Sequence, residues 1–258
     1  MHNFLSEIIK KKREDITKQK KTVSIVVLKK QINVLKSTNG FKNKLLSSNF
    51  LIIAEIKLAS PTMVFLGSKD NVLERAIAYK NAGAQALSVI TEKHFFKGDI
   101  GFISLIKNKI QLPILQKDFI IDEYQIYQAK ENGSDALLFI AKLVDEKTLK
   151  EFIVLSQKLG VEPVVEINDE DDFKKAIKTN ASIIAVNARD LETFKVDVDK
   201  ACDLMKKIPD KFIKLGFSGI SSSAEVEKYR KAGAKGVLVG TALMKAENIE
   251  EVMRSLKI

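Results

Sequence analysis

The sequence predicts an α/β fold, a closed (β/α)8 TIM barrel with an N-terminal helical extension, and three observations predict it. Eight short apolar, β-branched runs follow residue 50, each trailed by a polar turn and an amphipathic stretch. Their starts lie 34, 27, 23, 26, 21, 29 and 24 residues apart, which leaves room for one crossover helix between consecutive parallel strands. Charged side chains recur near the C-terminal ends of these runs, on the rim where barrels assemble their sites. An open doubly wound sheet is the competing architecture. It is disfavoured because no Gly-x-Gly-x-x-Gly follows the first strand and because eight strands is the number that closes.

In chain order, residues 1–48 read as two or three helices with no low-complexity linker behind them. They are expected to pack on the barrel, closing one of its ends, so that 1–258 forms a single domain with the eight βα units in 49–258. Phe4, Leu5, Ile8 and Ile9 stand at helical spacing before Lys10-Lys11-Lys12-Arg13, so this basic run reads as a solvated helix face rather than a binding patch. The strands are expected at 51–57, 85–91, 112–119, 135–140, 161–167, 182–186, 211–217 and 235–239. Ser222 and Glu225 form a capping box for the helix after the seventh strand, and Gly233 suits its C-terminal cap. A glycine recurs at the same helix-to-strand junction within 80–84, 131–135 and 231–235.

Composition removes several function classes. Hydrophobic residues at 45% beside charged residues at 29% describe a soluble globular chain, and no apolar run is long enough to span a membrane. The first residues place apolar before basic side chains, the wrong order for a secretory signal, so a cytoplasmic protein is expected. One cysteine, Cys202, and two distant histidines, His2 and His94, argue against a metal site. Catalysis must then rest on carboxylates, lysines and hydroxyls, without a metal.

The net charge of +10, from 43 basic and 33 acidic residues, favours an anionic partner: nucleic acid, an acidic membrane surface or a phosphorylated metabolite. Only Arg13, Arg75, Arg189, Arg230 and Arg254 carry the guanidinium fork that nucleic-acid readers favour, which weakens that reading.

Parallel strands covered on both faces are normally continuous in Val, Ile and Leu, so polar residues within them need a reason. Glu55 and Lys57 lie two apart and therefore on one side of the first strand; Lys117 precedes Asp118 at the end of the third; Glu166 interrupts the fifth. Asn187 and Arg189 follow the sixth. A structural ion-pair network among Glu55, Lys57, Lys117 and Glu166 would also account for them. Burying four charges from three strands is costly, however, and lysines beside carboxylates suit general acid–base work. Ser218-Gly219 and Gly240-Thr241 end the seventh and eighth strands and read as preceding helices directly, where small residues admit an oxyanion to backbone N–H groups. Tight βα turns are the plainer explanation of both glycines.

Seven segments carry a resemblance: AEIKLASP (54–61), LSVITEKHFFKG (87–98), LPILQKDFIID (112–122), VVEIND (164–169), NARDLETF (187–194), FSGI (217–220) and VLVGTALM (237–244). Together they resemble the indole-3-glycerol phosphate synthase family, from the N-terminal helices through the last strand. The resemblance implies a cofactor-free carboxy-lyase of tryptophan biosynthesis, acting on a phosphorylated small molecule and needing neither nucleic acid nor membrane. It implies Lys117, Glu166, Lys57, Glu55 and Asn187 as catalytic positions. Arg189, Ser88, Pro61, Phe96, Phe119, Leu138 and Leu191 would bind substrate, and Ser60, Ser218, Gly219, Gly240 and Thr241 the phosphate. A monomer or weak homodimer is expected. Phe96 is suggestive on its own, since Phe95-Phe96 falls in a polar loop where no core is due.

Three departures stand out. Phe217 occupies the position before Ser-Gly where the family usually has Glu. Ala188 follows Asn187 where Asn or Ser is usual, and the loop after Pro61 reads TMVFLG in place of a shorter polar form. A paralogous phosphate-binding isomerase or lyase is the alternative these departures leave open, and a basic nucleic-acid-binding protein is the alternative of a different class.

Overall fold

In the computed structural model, which describes residues 4–32, 40–63 and 65–257, eight parallel strands close into a barrel in sequence order. They are β1 (Leu51–Ile56), β2 (Ala86–Ile90), β3 (Ile114–Lys117), β4 (Ala136–Ile140), β5 (Glu162–Ile167), β6 (Ile183–Asn187), β7 (Ile213–Phe217) and β8 (Gly236–Val239). Seven fall within their expected spans, and β6 runs one residue past its own, taking in Asn187. His2 and Val64 lie outside the described residues.

Strand alternation divides the side chains into two cores. Ile52, Ala54, Leu87, Val89, Val165 and Val237 face the helices. Leu51, Ile53, Ala86, Leu115, Ala136, Leu138, Val164, Ala185, Leu215 and Leu238 fill the barrel interior, large residues set against small ones. Glu55, Lys117, Glu166, Asn187 and Phe217 continue the interior parity at the C-terminal ends of their strands, so all five turn into the barrel mouth.

Three helices precede β1: α1 (Phe4–Thr22), α2 (Ile25–Ile32) and α3 (Gly40–Ser47). They contact both ends of the barrel rather than one. On α3, Phe41 and Leu45 join the interior cluster, and Gly40 lies against Pro113 and Asp135, which precede β3 and β4. This helix therefore covers the N-terminal end. Leu5 and Ile8 of α1 belong to the same cluster, and Phe4 reaches the C-terminal mouth.

The basic run on α1 departs from expectation. Lys12 is only 8% exposed, and its ammonium lies 2.5 Å from the Asp118 carboxylate. A lysine can take a buried helix position when a carboxylate waits for it just past the end of a strand, a partner that helical periodicity alone does not reveal.

Helices α4 (Val72–Asn81), α5 (Gly101–Lys107), α6 (Glu123–Glu131), α7 (Glu146–Lys158), α8 (Glu170–Ala176), α9 (Val198–Lys206) and α10 (Ser223–Lys231) fill the crossovers. The short α11 (Thr241–Lys245) and α12 (Ile249–Ser255) end the described chain. The Ser222–Glu225 capping box is present on α10, and Asp122 with Gln125 forms a second one on α6. Gly83, Gly133 and Gly233 share left-handed φ values of 94°, 85° and 98° at their helix ends, as the repeated junction predicts.

Candidate active site

The C-terminal mouth holds a cavity of about 560 Å³. Of the seventeen expected site residues, sixteen line it: Glu55, Lys57, Ser60, Pro61, Phe96, Lys117, Phe119, Leu138, Glu166, Asn187, Arg189, Leu191, Ser218, Gly219, Gly240 and Thr241. Ser88 is the exception. It pairs with Glu55 across β1 and β2 on the interior parity, one step short of Ile90, and is fully buried with no hydrogen-bond partner for its Oγ among the described residues. It therefore belongs to the packed layer beneath the cavity.

Glu166 is fully buried. Its Oε1 accepts a hydrogen bond from Asn187 Nδ2 at 3.0 Å, while its Oε2 has no partner among the described residues. Burial pushes the carboxyl above its ordinary range; the Lys117 ammonium and the Asn187 hydrogen bond oppose that shift, and Glu55 adds to it. A buried carboxylate oxygen left unsatisfied costs free energy, and Glu166 is one of the residues that line the cavity.

The proposed four-charge network is not what forms. Glu55 and Lys57 pair at 3.2 Å, with Lys57 also donating to Thr241 Oγ1 at 3.3 Å. Lys117 has no ion pair or hydrogen bond for its ammonium among the described residues, although it interacts electrostatically with Glu166. The next residue, Asp118, turns away from the barrel axis to meet Lys12 and the Thr91 hydroxyl, which donates to it at 2.7 Å.

Asn187 is committed on both sides of its amide. It donates to Glu166, and its Oδ1 accepts the Arg189 backbone N–H at 3.0 Å. The Arg189 guanidinium donates to the Phe194 carbonyl at 3.0 Å, tying the loop after β6 into a hairpin bridged at Arg189 and Val196. Asn168 stitches the same region from beneath, its Nδ2 donating to the carbonyls of Asn187 and Arg189, each at 2.8 Å.

One side of the cavity is apolar. Phe96 and Phe119 lie 6.2 Å apart, with Leu138, Leu191 and Phe217 beside them. Phe217, only 1% exposed, presents a ring where the resemblance leads one to expect a carboxylate. The opposite side is small and polar. Ser218 and Gly219 take consecutive left-handed φ values of 68° and 73°, and Gly240 caps α11. A Cβ on Gly240 would stand 2.3 Å from Glu55 Oε1, so any side chain here pushes that carboxylate aside. Ser218-Gly219 does not precede its helix directly: α10 begins at Ser223, beyond a turn through Ile220–Ser222.

Sequence reasoning missed several lining residues. Phe4 packs edge-on against Phe95 and Phe194, at 5.2 and 4.9 Å, so the N-terminal extension supplies part of the wall. Lys245 on α11 adds a cation on the side of Thr241. Nothing local to residue 4 signals its distant aromatic partners. For Lys245, the helical spacing from Thr241, one turn earlier, was an available clue.

Similarities to known proteins agree with this geometry. A family model described as indole-3-glycerol phosphate synthase matches residues 5–256. Curated proteins of that name are similar across nearly the whole chain. The Aliarcobacter butzleri protein is 37% identical, with 98% of each chain covered. The Aquifex aeolicus protein is 39% identical, with 89% of this chain and 90% of that one covered. A crystal structure of 3-hexulose-6-phosphate synthase superposes with a TM-score of 0.64 at 16% identity, covering 80% of this chain and 98% of the other, a likeness of fold alone. Barrel, mouth chemistry and whole-length similarity converge, and the chain belongs to the indole-3-glycerol phosphate synthase family.

Proposed function

We propose that the mouth converts 1-(2-carboxyphenylamino)-1-deoxyribulose 5-phosphate to indole-3-glycerol phosphate, carbon dioxide and water. One observation carries this assignment of roles: the unpaired Lys117 ammonium and the unpartnered Glu166 oxygen share one cavity, with an apolar wall on one side and a small polar wall on the other. The aryl ring lies against Phe96, Phe119, Leu138, Leu191 and Pro61. Lys57, Ser60, Ser218, Gly219, Gly240 and Thr241 hold the 5-phosphate, and Arg189 orients the carboxylate or sugar hydroxyls.

In the first step the ring carbon bearing the carboxylate attacks the ribulose carbonyl, while Lys117 donates a proton to the carbonyl oxygen. Loss of carbon dioxide returns its electron pair to the ring and restores aromaticity. The nitrogen lone pair then expels the hydroxyl as water, and loss of a proton from the former C1 completes the indole. Glu166 and the Glu55–Lys57 pair exchange the protons of this dehydration. Asn187 orients Glu166, consistent with both of its polar atoms being engaged. No step calls for a cofactor, a nucleic acid or a lipid. No described helix is long and apolar enough to cross a membrane. A cytoplasmic monomer or weak homodimer fits a small-molecule enzyme of this kind.

The test is indole fluorescence on mixing protein and substrate. Turnover that disappears in Lys117→Ala supports the assignment. A folded wild type that binds inorganic phosphate yet yields no indole would overturn it, and the Phe217 departure would then favour a paralogous barrel isomerase or lyase.

A further inference from the structure

Glu92, two residues beyond β2, is 1% exposed and makes no ion pair among the described residues. Its carboxylate instead accepts three consecutive backbone N–H groups. His94 donates to Oε1 at 2.8 Å, Phe95 to Oε2 at 2.7 Å and Phe96 to Oε2 at 3.0 Å. The loop closes on itself where the Gly98 N–H donates to the Glu92 carbonyl at 2.7 Å. It is also pressed hard against β2, because a Cβ on Gly98 would meet the Ile90 carbonyl oxygen at 2.3 Å. A turn this tight points its donors inward, and an ionised carboxylate is the side chain able to satisfy three at once.

We infer that Glu92 is a positioning residue for the aromatic wall of the cavity, acting through the backbone of Phe95 and Phe96; this rests on the reading of that wall as the seat of the substrate's aryl half. The two N–H groups on Oε2 belong to the two aromatic residues themselves. Phe96 lines the cavity beside Phe119, and Phe95 packs on Phe4, which lines it from α1. One carboxylate thus fixes both rings and the seat of the N-terminal helix. The charge does no chemistry, since its lone pairs point into the loop. A glutamine of the same shape has one acceptor oxygen and an NH2, so whichever way it turns, at least one of the three backbone N–H groups faces a donor.

The experiment compares wild type with Glu92→Gln in three measurements: KM and kcat with the full substrate, Kd for anthranilate and Kd for inorganic phosphate. The variant is expected to raise KM and the anthranilate Kd about tenfold while kcat and the phosphate Kd stay within about twofold. A parallel weakening of phosphate, or an unchanged anthranilate Kd, would overturn the proposal. Both binding measurements run without turnover, so a wild type that binds both ligands and makes no indole would fail the assigned function and not this inference. Should Glu92→Gln not fold, amide hydrogen exchange on the wild type decides: strong protection at His94, Phe95 and Phe96 is expected, and exchange as fast as at an exposed loop overturns the role.

Discussion

Lys117 and Asp118 are neighbours in the chain and opposites in environment. The Asp118 carboxylate is saturated: Lys12 lies 2.5 Å away, the Thr91 hydroxyl donates to it at 2.7 Å, and so does the Phe119 N–H at 2.7 Å. Behind it Gln116 and Ser134 continue a buried hydrogen-bonded chain. Lys117, on the interior parity at the end of β3, has no such partner among the described residues, and among them Glu166 keeps one oxygen bare. A network built for stability satisfies its members, because a half-satisfied buried charge costs more than none. A network built for a ligand leaves positions for the ligand to complete. The two sides of one strand end separate fastening from chemistry.

Substitutions can break that contrast. The largest expected effect is on rate. Lys117→Ala should lower kcat by about 10²–10⁴-fold, the usual worth of a positioned general acid, with a urea midpoint close to wild type because its ammonium makes no hydrogen bond or ion pair among the described residues and only an electrostatic interaction with Glu166 is lost. A midpoint that fell with kcat would erase the distinction between the two sides. Lys12→Met should do the reverse. It leaves Asp118 buried and uncompensated and should cost about 3 kcal/mol in urea denaturation, because breaking one half of a buried pair is expensive. Gly240→Ala probes the mouth more gently. Its Cβ would displace the Glu55 carboxylate, and kcat/KM should fall about 10–100-fold, as expected for a misplacement near 1 Å, with stability close to wild type.

This contrast also marks what the sequence made legible. Strand positions, the capping box, the glycine junctions and the strand-end charges follow from patterns within a few residues, and those are local physics, whereas most of the apolar and phosphate-side mouth residues were named only through the resemblance. Glu55, Lys117 and Glu166 were visible because a charge in an apolar strand is anomalous wherever it points. Whether such a charge is fastened or free depends on a partner far along the chain. Lys12 meets Asp118 across 106 positions, so a helix-face reading of Lys10–Arg13 misplaced one residue of the four. Phe4 and Ser88 illustrate the same limit. One reached the cavity through rings at 95 and 194, and the other fell one layer below it, both set by how the strands stagger around the barrel.

The subtlest test asks whether the unsatisfied side lowers the stability of the fold. Burial raises the Glu166 pKa above its unfolded value, so folding is favoured while the carboxyl is protonated. That contribution is complete below the unfolded value, about pH 4, and is lost as pH rises through the folded value. Glu166→Gln keeps the shape and the Asn187 contact but never ionises. It should therefore be more stable than wild type at pH 7–8, with the difference in urea midpoint shrinking to nothing near pH 4, while turnover is lost. The same substitution logic applied to Asp118 must give the opposite sign, since Asp118→Asn weakens the Lys12 pairing and removes charge from three interactions. If both variants were destabilised alike at neutral pH, Glu166 would be as fastened as Asp118, and the bare oxygen would have lost its meaning as a vacancy kept for substrate.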